Sequence, residues 1–386
     1  MLVKLTNQAL AYAWGSKTLI TDYFGIPATG EPMAEIWFGT HDGSPTEVVG
    51  SNDSLKSMLV KNGRDASLPF LLKILAAEAP LSIQAHPNPE QARIGFAKEN
   101  ALGLAIAATN RNYKDDKAKP ELIVSLTQEF DALVGFADQA LIQEKFAELV
   151  QASSSENFTK VLELWIALLE TSGGIRKVFL ETLTSKDVDE DFISELVDAA
   201  EQCPALVDLV VHLADHHGKD RGIATALLMN RMTLSRGEGV FVPAGMPHAY
   251  LSGLGVEVML ASDNVLRGGL TPKHIDVEEL EHVLLFEATQ PELVQTKTLA
   301  VGFEKFQIPT PEFSFYRATV GSANLLADIN LPGDAIVLCT EGSVALSNSQ
   351  GERELINTGE AAFIAGDARS FSLAGSGTVF MAVSSK

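Results

Sequence analysis

The hydrophobic period of this chain changes twice. From Met1 to about Leu126, short apolar segments are cut by turns, as in Glu35–Gly43, a texture that suits antiparallel strands. From about Thr127 to Ala224 the spacing becomes helical. Phe192, Leu196, Ala199 and Cys203 fall on one helix face, with Asp187 and Glu190 placed like an acidic capping box before them. Ala140–Val150, Phe158–Leu169, Ile175–Thr182 and Ala205–His216 read as further helices, separated by breaks that include Gly173-Gly174 and Pro204. Strand texture returns near Gly239–Val242 and continues in runs such as Ala335–Cys339 and Val379–Val383. At 386 residues the chain exceeds one compact core, so two or three domains are expected. No internal repeat of fixed period is present.

Within the first strand-rich stretch, Leu81, Ile83 and Ala85 alternate with Ser82, Gln84 and His86 before Pro87 and Pro89. An extended chain would place the three polar side chains on one face, and proline would end the strand. Alone, this pattern fits an ordinary strand with one wet face, or one whose Gln84 and His86 chelate a metal inside a barrel. A second histidine follows the turn Val242-Pro243-Ala244-Gly245-Met246-Pro247, where His248 opens a strand with Tyr250 on the same face. Pro120 precedes another strand, Glu121–Leu126, and an extended Lys119 would point the same way as Glu121.

Gln84, His86, Glu121 and His248 together offer two imidazoles, a carboxylate and an amide oxygen. Two histidines and a carboxylate suit catalytic zinc, and also non-haem Fe(II), so spacing does not name the metal. Cys203 and Cys339 stand far apart and suggest neither a disulfide framework nor a thiolate site. A net charge of −21 argues against nucleic acid or an anionic membrane as partner, while local cations such as the stretch Arg111–Lys119 still allow a small anionic substrate. No apolar run reaches the length of a membrane span, and no signal layout opens the chain, so a cytoplasmic location is expected.

The motifs Gln84-Ala85-His86-Pro87-Asn88, Lys119-Pro120-Glu121-Leu122, Pro247-His248-Ala249-Tyr250 and Ser262–Lys273, with Ala34–His41 near the start, resemble those of the type I mannose-6-phosphate isomerases. The resemblance runs over most of the chain. It implies a mainly β protein with an α-helical insertion: a cupin-like catalytic domain formed by residues 1–126 and 225–289, a helical domain over 127–224, and a C-terminal jelly roll or β-sandwich over 290–386. It implies one Zn²⁺ per chain held by Gln84, His86, Glu121 and His248, with Arg267 as the catalytic residue and Ser82, Lys73, Lys119, Glu257 and Asp263 in the pocket. A sugar phosphate is the expected partner and a monomer the expected state. Ala118 departs from the pattern, since bacterial relatives often carry histidine before Lys-Pro-Glu.

Aldose–ketose isomerisation moves a proton between C1 and C2 through an enediol, so the site must stabilise oxyanion charge and shuttle a proton. Arg267 suits charge stabilisation better than proton abstraction, while Glu257, Asp263 and Lys73 are better bases. Ser82, Lys119 and Arg267 are candidates for contact with the phosphate, Lys119 by an expected position at the rim of the metal site. Glu257 could equally orient a ligand. His212 and His216 lie four apart like a zincin pair, yet lack the adjoining glutamate and a third ligand, so a solvated helix end is expected. Gly253-Leu254-Gly255 reads as a tight turn, and the sequon Asn157-Phe158-Thr159 as irrelevant to a cytoplasmic chain. Two other functions fit the same residues: an Fe(II) cupin oxygenase, and a sugar-phosphate-binding cupin without turnover.

Overall fold

A computed structural model describes residues 1–321, 325–368 and 370–385. The chain is mainly β, with two large sheets and a block of helices. None of the described helices is long and apolar enough to cross a membrane.

The strand His248–Leu260 is the spine of the first sheet. Its first half pairs with Gln84 on one edge and with Phe130–Phe136 on the other. Its second half pairs with Phe70–Ala77 and Glu121–Ser125. The change of partners coincides with a bulge after Tyr250 and with Gly253, whose φ of 122° favours glycine. A Cβ at Gly253 would also lie 2.9 Å from the Phe130 Cα, so backbone packs on backbone at the bend.

Strand parity decides what the sheet presents on each face. Phe70, Leu72, Ile74 and Ala76, with Leu122, Val124, Leu254, Val256 and Val258, point to one face and share a core with Phe306, Phe313, Phe315, Ile336, Leu338, Phe363 and Phe380 of the second sheet. The intervening Lys73, Glu121 and Glu257 therefore point to the other face. In the first half of the spine, Ala249 and Leu251, together with Ile83 and Ala85, pack against the helices, which leaves His248, Gln84 and His86 on the opposite side.

The second sheet runs from Thr296–Ala300 through Phe371–Ser384 and Ala335–Asn348 to Ala361–Ile364 and then Leu2–Thr6. The first strand of the chain thus pairs with the C-terminal region, Leu2 opposite Ile364 and Leu5 opposite Ala361, and Glu47–Val48 follows it at the edge. The sequence-based boundary that assigned all of residues 1–126 to the site-bearing sheet fails there, because alternation marks a strand without saying which sheet it joins. The helical block is also narrower than 127–224. Phe130–Phe136 is a strand, buried on both faces, whose short apolar run has no diagnostic period. Helices occupy Gln139–Ala152, Glu156–Leu169, Gly174–Thr184, Glu190–Ala200, Val207–His217 and Gly222–Ala226, and strand resumes at Met229.

Two local expectations change. Asp189, rather than Asp187, caps Glu190–Ala200 by accepting the Phe192 N–H at 2.9 Å. The stretch Leu81–His86 is laddered only at Gln84–Ala85, and Leu81 turns toward the site. Its end is set by a helix, Pro89–Ala101, with Pro89 in the first turn and a capping box in which Asn88 and Gln91 exchange side-chain bonds.

Gly253→Ala combines a forbidden φ with a backbone clash and should destabilise the protein by about 3 kcal/mol or more, whereas Gly25→Ala, at a left-handed helix end with open space, should cost about 1 kcal/mol. Urea unfolding of both variants checks this, and equal losses would contradict a special role for the bend.

Candidate active site

Register brings the polar side chains together. His248 stands opposite Gln84, Glu257 opposite Lys73 and Ile123, and Lys73 opposite Trp37. His248, Gln84, Glu257 and Lys73 line a cavity of about 60 Å³ with Glu35, Lys119, Glu121 and Tyr250.

At its centre Glu121 is 3% exposed and meets three cationic or potentially cationic groups. Its Oε1 lies 2.7 Å from Lys119 Nζ and 3.4 Å from His86 Nε2, and its Oε2 lies 3.2 Å from His248 Nε2. Burial alone would raise this carboxyl, but the Lys119 ammonium beside it holds it well below the usual carboxylate range. Burial, reinforced by Lys119, pushes the His86 imidazole down to about 4. The ring is therefore neutral over most of the pH range.

The tautomer of that neutral ring follows from its second nitrogen. His86 Nδ1 is 2.7 Å from the Asn264 carbonyl, which only accepts, so Nδ1 carries the proton and Nε2 keeps its lone pair. His248 Nδ1 is held 3.2 Å from the Met246 carbonyl in the same way. His86 Nε2 is buried without a hydrogen-bond partner. An orphaned lone pair beside a deprotonated carboxylate and a second imidazole is what a divalent cation completes, and the ligand atoms of His86, Glu121 and His248 lie within 4.8 Å of one another. Gln84 lines the same cavity and donates its amide N–H to Ser82 Oγ at 3.3 Å, which leaves its carbonyl oxygen free to ligate. This donor set fits zinc or another borderline cation.

Beside the centre, Lys73 Nζ sits between Glu257 Oε2 at 2.9 Å and Glu35 Oε1 at 3.4 Å, over the ring of Trp37 at 5.1 Å. Burial would lower its pKa, but the two carboxylates more than offset this and fix Lys73 as a cation. Glu257 is raised, chiefly by burial and partly against the pull of Lys73. Glu35 accepts the Trp37 indole N–H at 2.9 Å. Neither Glu35 nor Trp37 was singled out from the sequence, although the alternation of Glu35-Ile36-Trp37-Phe38 carries the signal.

Arg267 lies opposite Gln84 in the ladder and is half-buried. Among the described residues it makes no ion pair, and burial lowers its pKa. Arg267 and Lys114 in turn depress Lys273, after the effect of burial, so these three cations lie near one another, with Asp263 within electrostatic reach of Lys114. Lys273 and Lys114 were not assigned roles from the sequence. Lys119 is buried against Glu121 instead of standing at the rim. Asp263 is partly exposed, is paired with His41 Nε2 at 3.3 Å, and is not among the cavity residues. Ala118 lines a different cavity, with Pro311 and Ser385, so its departure from the pattern opens no gap beside Glu121. His212 and His216 lie on their own helix away from the centre, and no third ligand joins them among the described residues.

The family model for the phosphomannose isomerase type I catalytic domain matches residues 2–139. A mannose-6-phosphate isomerase of Salmonella typhimurium is 35% identical, with 97% of each chain covered, and that of Escherichia coli is 36% identical with the same coverage. The chain belongs to the type I phosphomannose isomerase family. The crystal structure of the Salmonella typhimurium isomerase bound to fructose 6-phosphate and zinc superposes on this phosphomannose isomerase family member with a TM-score of 0.86, at 32% identity and full coverage of both chains.

The displaced titration of His86 has a measurable consequence in metal-free protein. The folded value lies below the unfolded one, so protons favour the unfolded chain as pH falls from 6.5 towards 4. Stability present above pH 6.5 should fall through that window, by about 3 kcal/mol from this residue alone. Urea unfolding at several pH values should show a shallower acid loss for His86→Gln than for the wild type, and parallel curves would contradict a buried neutral imidazole.

Proposed function

We propose that this chain is a zinc-dependent isomerase that interconverts mannose 6-phosphate and fructose 6-phosphate. Membership of the family supports the reaction, and the observation that carries the site assignment is the buried, unpartnered His86 Nε2 facing Glu121 and His248. Zinc would be held by Gln84, His86, Glu121 and His248, and when bound it supplies Lewis acidity to sugar oxygens.

The chain's own residues divide the remaining work. Lys73 is held as a cation by Glu35 and Glu257, which makes it an electrostatic group in place of a base. Glu257 lines the cavity, and its carboxyl, raised by burial, is the proton carrier in this proposal. Asp263, tied to His41, is a weaker candidate for that step and serves at the margin. Arg267, unpaired and partly desolvated, is placed to stabilise charge that grows on the enediol, with Ser82 beside Gln84 available to a sugar hydroxyl. The cavity of about 60 Å³ holds little beyond an ion and water, so the phosphate lies outside it, near the cations Arg267, Lys273 and Lys114. Lys119 then acts on Glu121 rather than on the phosphate.

The same proposal makes the site-bearing sheet cupin-like and the second sheet a jelly roll, with Leu2–Thr6 and Glu47–Val48 counted with the latter and the helices as an insertion. It also keeps the expected cytoplasmic monomer.

A coupled assay with mannose 6-phosphate tests the function. Turnover lost to a chelator and restored by Zn²⁺ is expected. Turnover restored by Fe²⁺ and oxygen alone, or saturable binding without turnover, would favour the oxygenase or the non-catalytic reading. Arg267→Lys keeps the charge but loses the planar fork, so kcat should fall by about 10²-fold with KM little changed. A pure rise in KM would instead assign Arg267 to the phosphate.

A further inference from the structure

The loop that carries Arg267 is clamped by the helical block, and the clamp converges on one side chain. Asp220, between the helices Val207–His217 and Gly222–Ala226, accepts three backbone N–H groups. Its Oδ1 takes those of Gly222 at 2.6 Å and Leu270 at 2.8 Å, and its Oδ2 takes that of Thr271 at 3.1 Å. Leu270 is a left-handed non-glycine residue, with φ of 55°, and its side chain is buried in the helical core. Such a conformation persists only where its surroundings over-determine it. Here the backbones also touch: a Cβ on Gly222 would lie 2.2 Å from Leu270 N, and one on Gly269 would lie 2.4 Å from Gly222 Cα.

The constraint passes directly to the site. Gly268 donates its N–H to the Ile83 carbonyl at 2.8 Å, and Ile83 donates to the Gly269 carbonyl at 3.0 Å. These bonds fix the ladder in which Arg267 stands opposite Gln84 and Leu266 opposite Ala85. A second tie, His217 Nε2 to the Pro80 carbonyl at 2.9 Å, holds the chain just before Ser82 to the same helical block.

We propose that Asp220 is a positioning residue for the reaction, holding the Gly268–Thr271 loop so that Arg267 is presented at a fixed place beside Gln84. Asp220 touches neither metal nor substrate in this scheme and acts through Arg267. The activity arm of its test rests on the isomerase proposal, and the exchange arm does not.

Asp220→Asn is the informative variant, because its Oδ1 can still accept from Gly222 and Leu270 while its Nδ2 faces the Thr271 N–H donor to donor. Zinc-loaded full-length protein is measured by site-resolved hydrogen exchange, zinc content and kinetics with mannose 6-phosphate. Faster exchange at Leu270 and Thr271 is expected, with zinc content unchanged, kcat down about 10-fold and KM within about twofold. Asp220→Ala should extend the kcat loss; if it fails to fold, the Asn variant alone decides. In an Arg267→Ala background Asp220→Asn should change kcat by less than about twofold, since its route to the chemistry is already gone. An undiminished loss in that background, unchanged kcat despite a loosened loop, or unchanged exchange at Leu270 and Thr271 would each overturn the assignment. A wild-type chain without isomerase activity would remove the catalytic claim together with the isomerase proposal, and the exchange data would report separately whether Asp220 orders the loop.

Discussion

A carboxylate buried to 3% exposure is the constraint on which the rest of this structure depends. Glu121 cannot keep its charge there without compensation, since an isolated buried carboxylate loses several kcal/mol of hydration and takes up a proton instead. Lys119, two residues earlier, supplies part of that compensation, and the lone pairs of His86 and His248, brought in at the ends of two other strands, offer a site to a cation that would supply the rest. Each strand must therefore be held at a fixed register, and the spine His248–Leu260 does so by pairing with four neighbours across one bend.

The surrounding layers follow from the same demand. The second sheet covers the back of Phe70–Ala77 and Glu121–Ser125 with Phe313, Phe315 and Phe380, and the helical block covers the back of Gln84–Ala85 and the first half of the spine with residues that include Phe179. Two apolar layers on different parts of one bent sheet leave a single polar face enclosed between them. The five charges there, Glu35, Lys73, Glu121, Lys119 and Glu257, leave an excess of negative charge that a divalent cation offsets.

Much of this was legible in the sequence because the site is built on strands. Period-two alternation put Gln84 with His86 and Lys119 with Glu121, and the motifs carrying the family resemblance include all four proposed ligands. What remained hidden depends on register and on sheet membership, which alternation does not encode. Glu35 and Trp37 lie against Lys73 only because Glu35–Phe38 pairs with Phe70–Ala77. Leu2–Thr6 has no residue that announces a partner more than 350 positions away. Lys119 looked like a rim residue because it stands beside Glu121, yet its pairing with that carboxylate buries it. Asp220 looks like an ordinary helix-linking aspartate until Gly222 and Gly269 bring the two backbones together.

The central claim is that two imidazoles, one carboxylate and one amide oxygen define a single zinc site. X-ray absorption at the zinc edge of purified protein tests it most directly. The proposed set predicts one zinc per chain with light-atom ligands at about 2.0–2.2 Å, a multiple-scattering signature of two imidazoles, and loss of one imidazole in His86→Gln. Sulfur in the coordination shell, fewer than two imidazoles in the wild type, or a signal that survives unchanged in His86→Gln would contradict it.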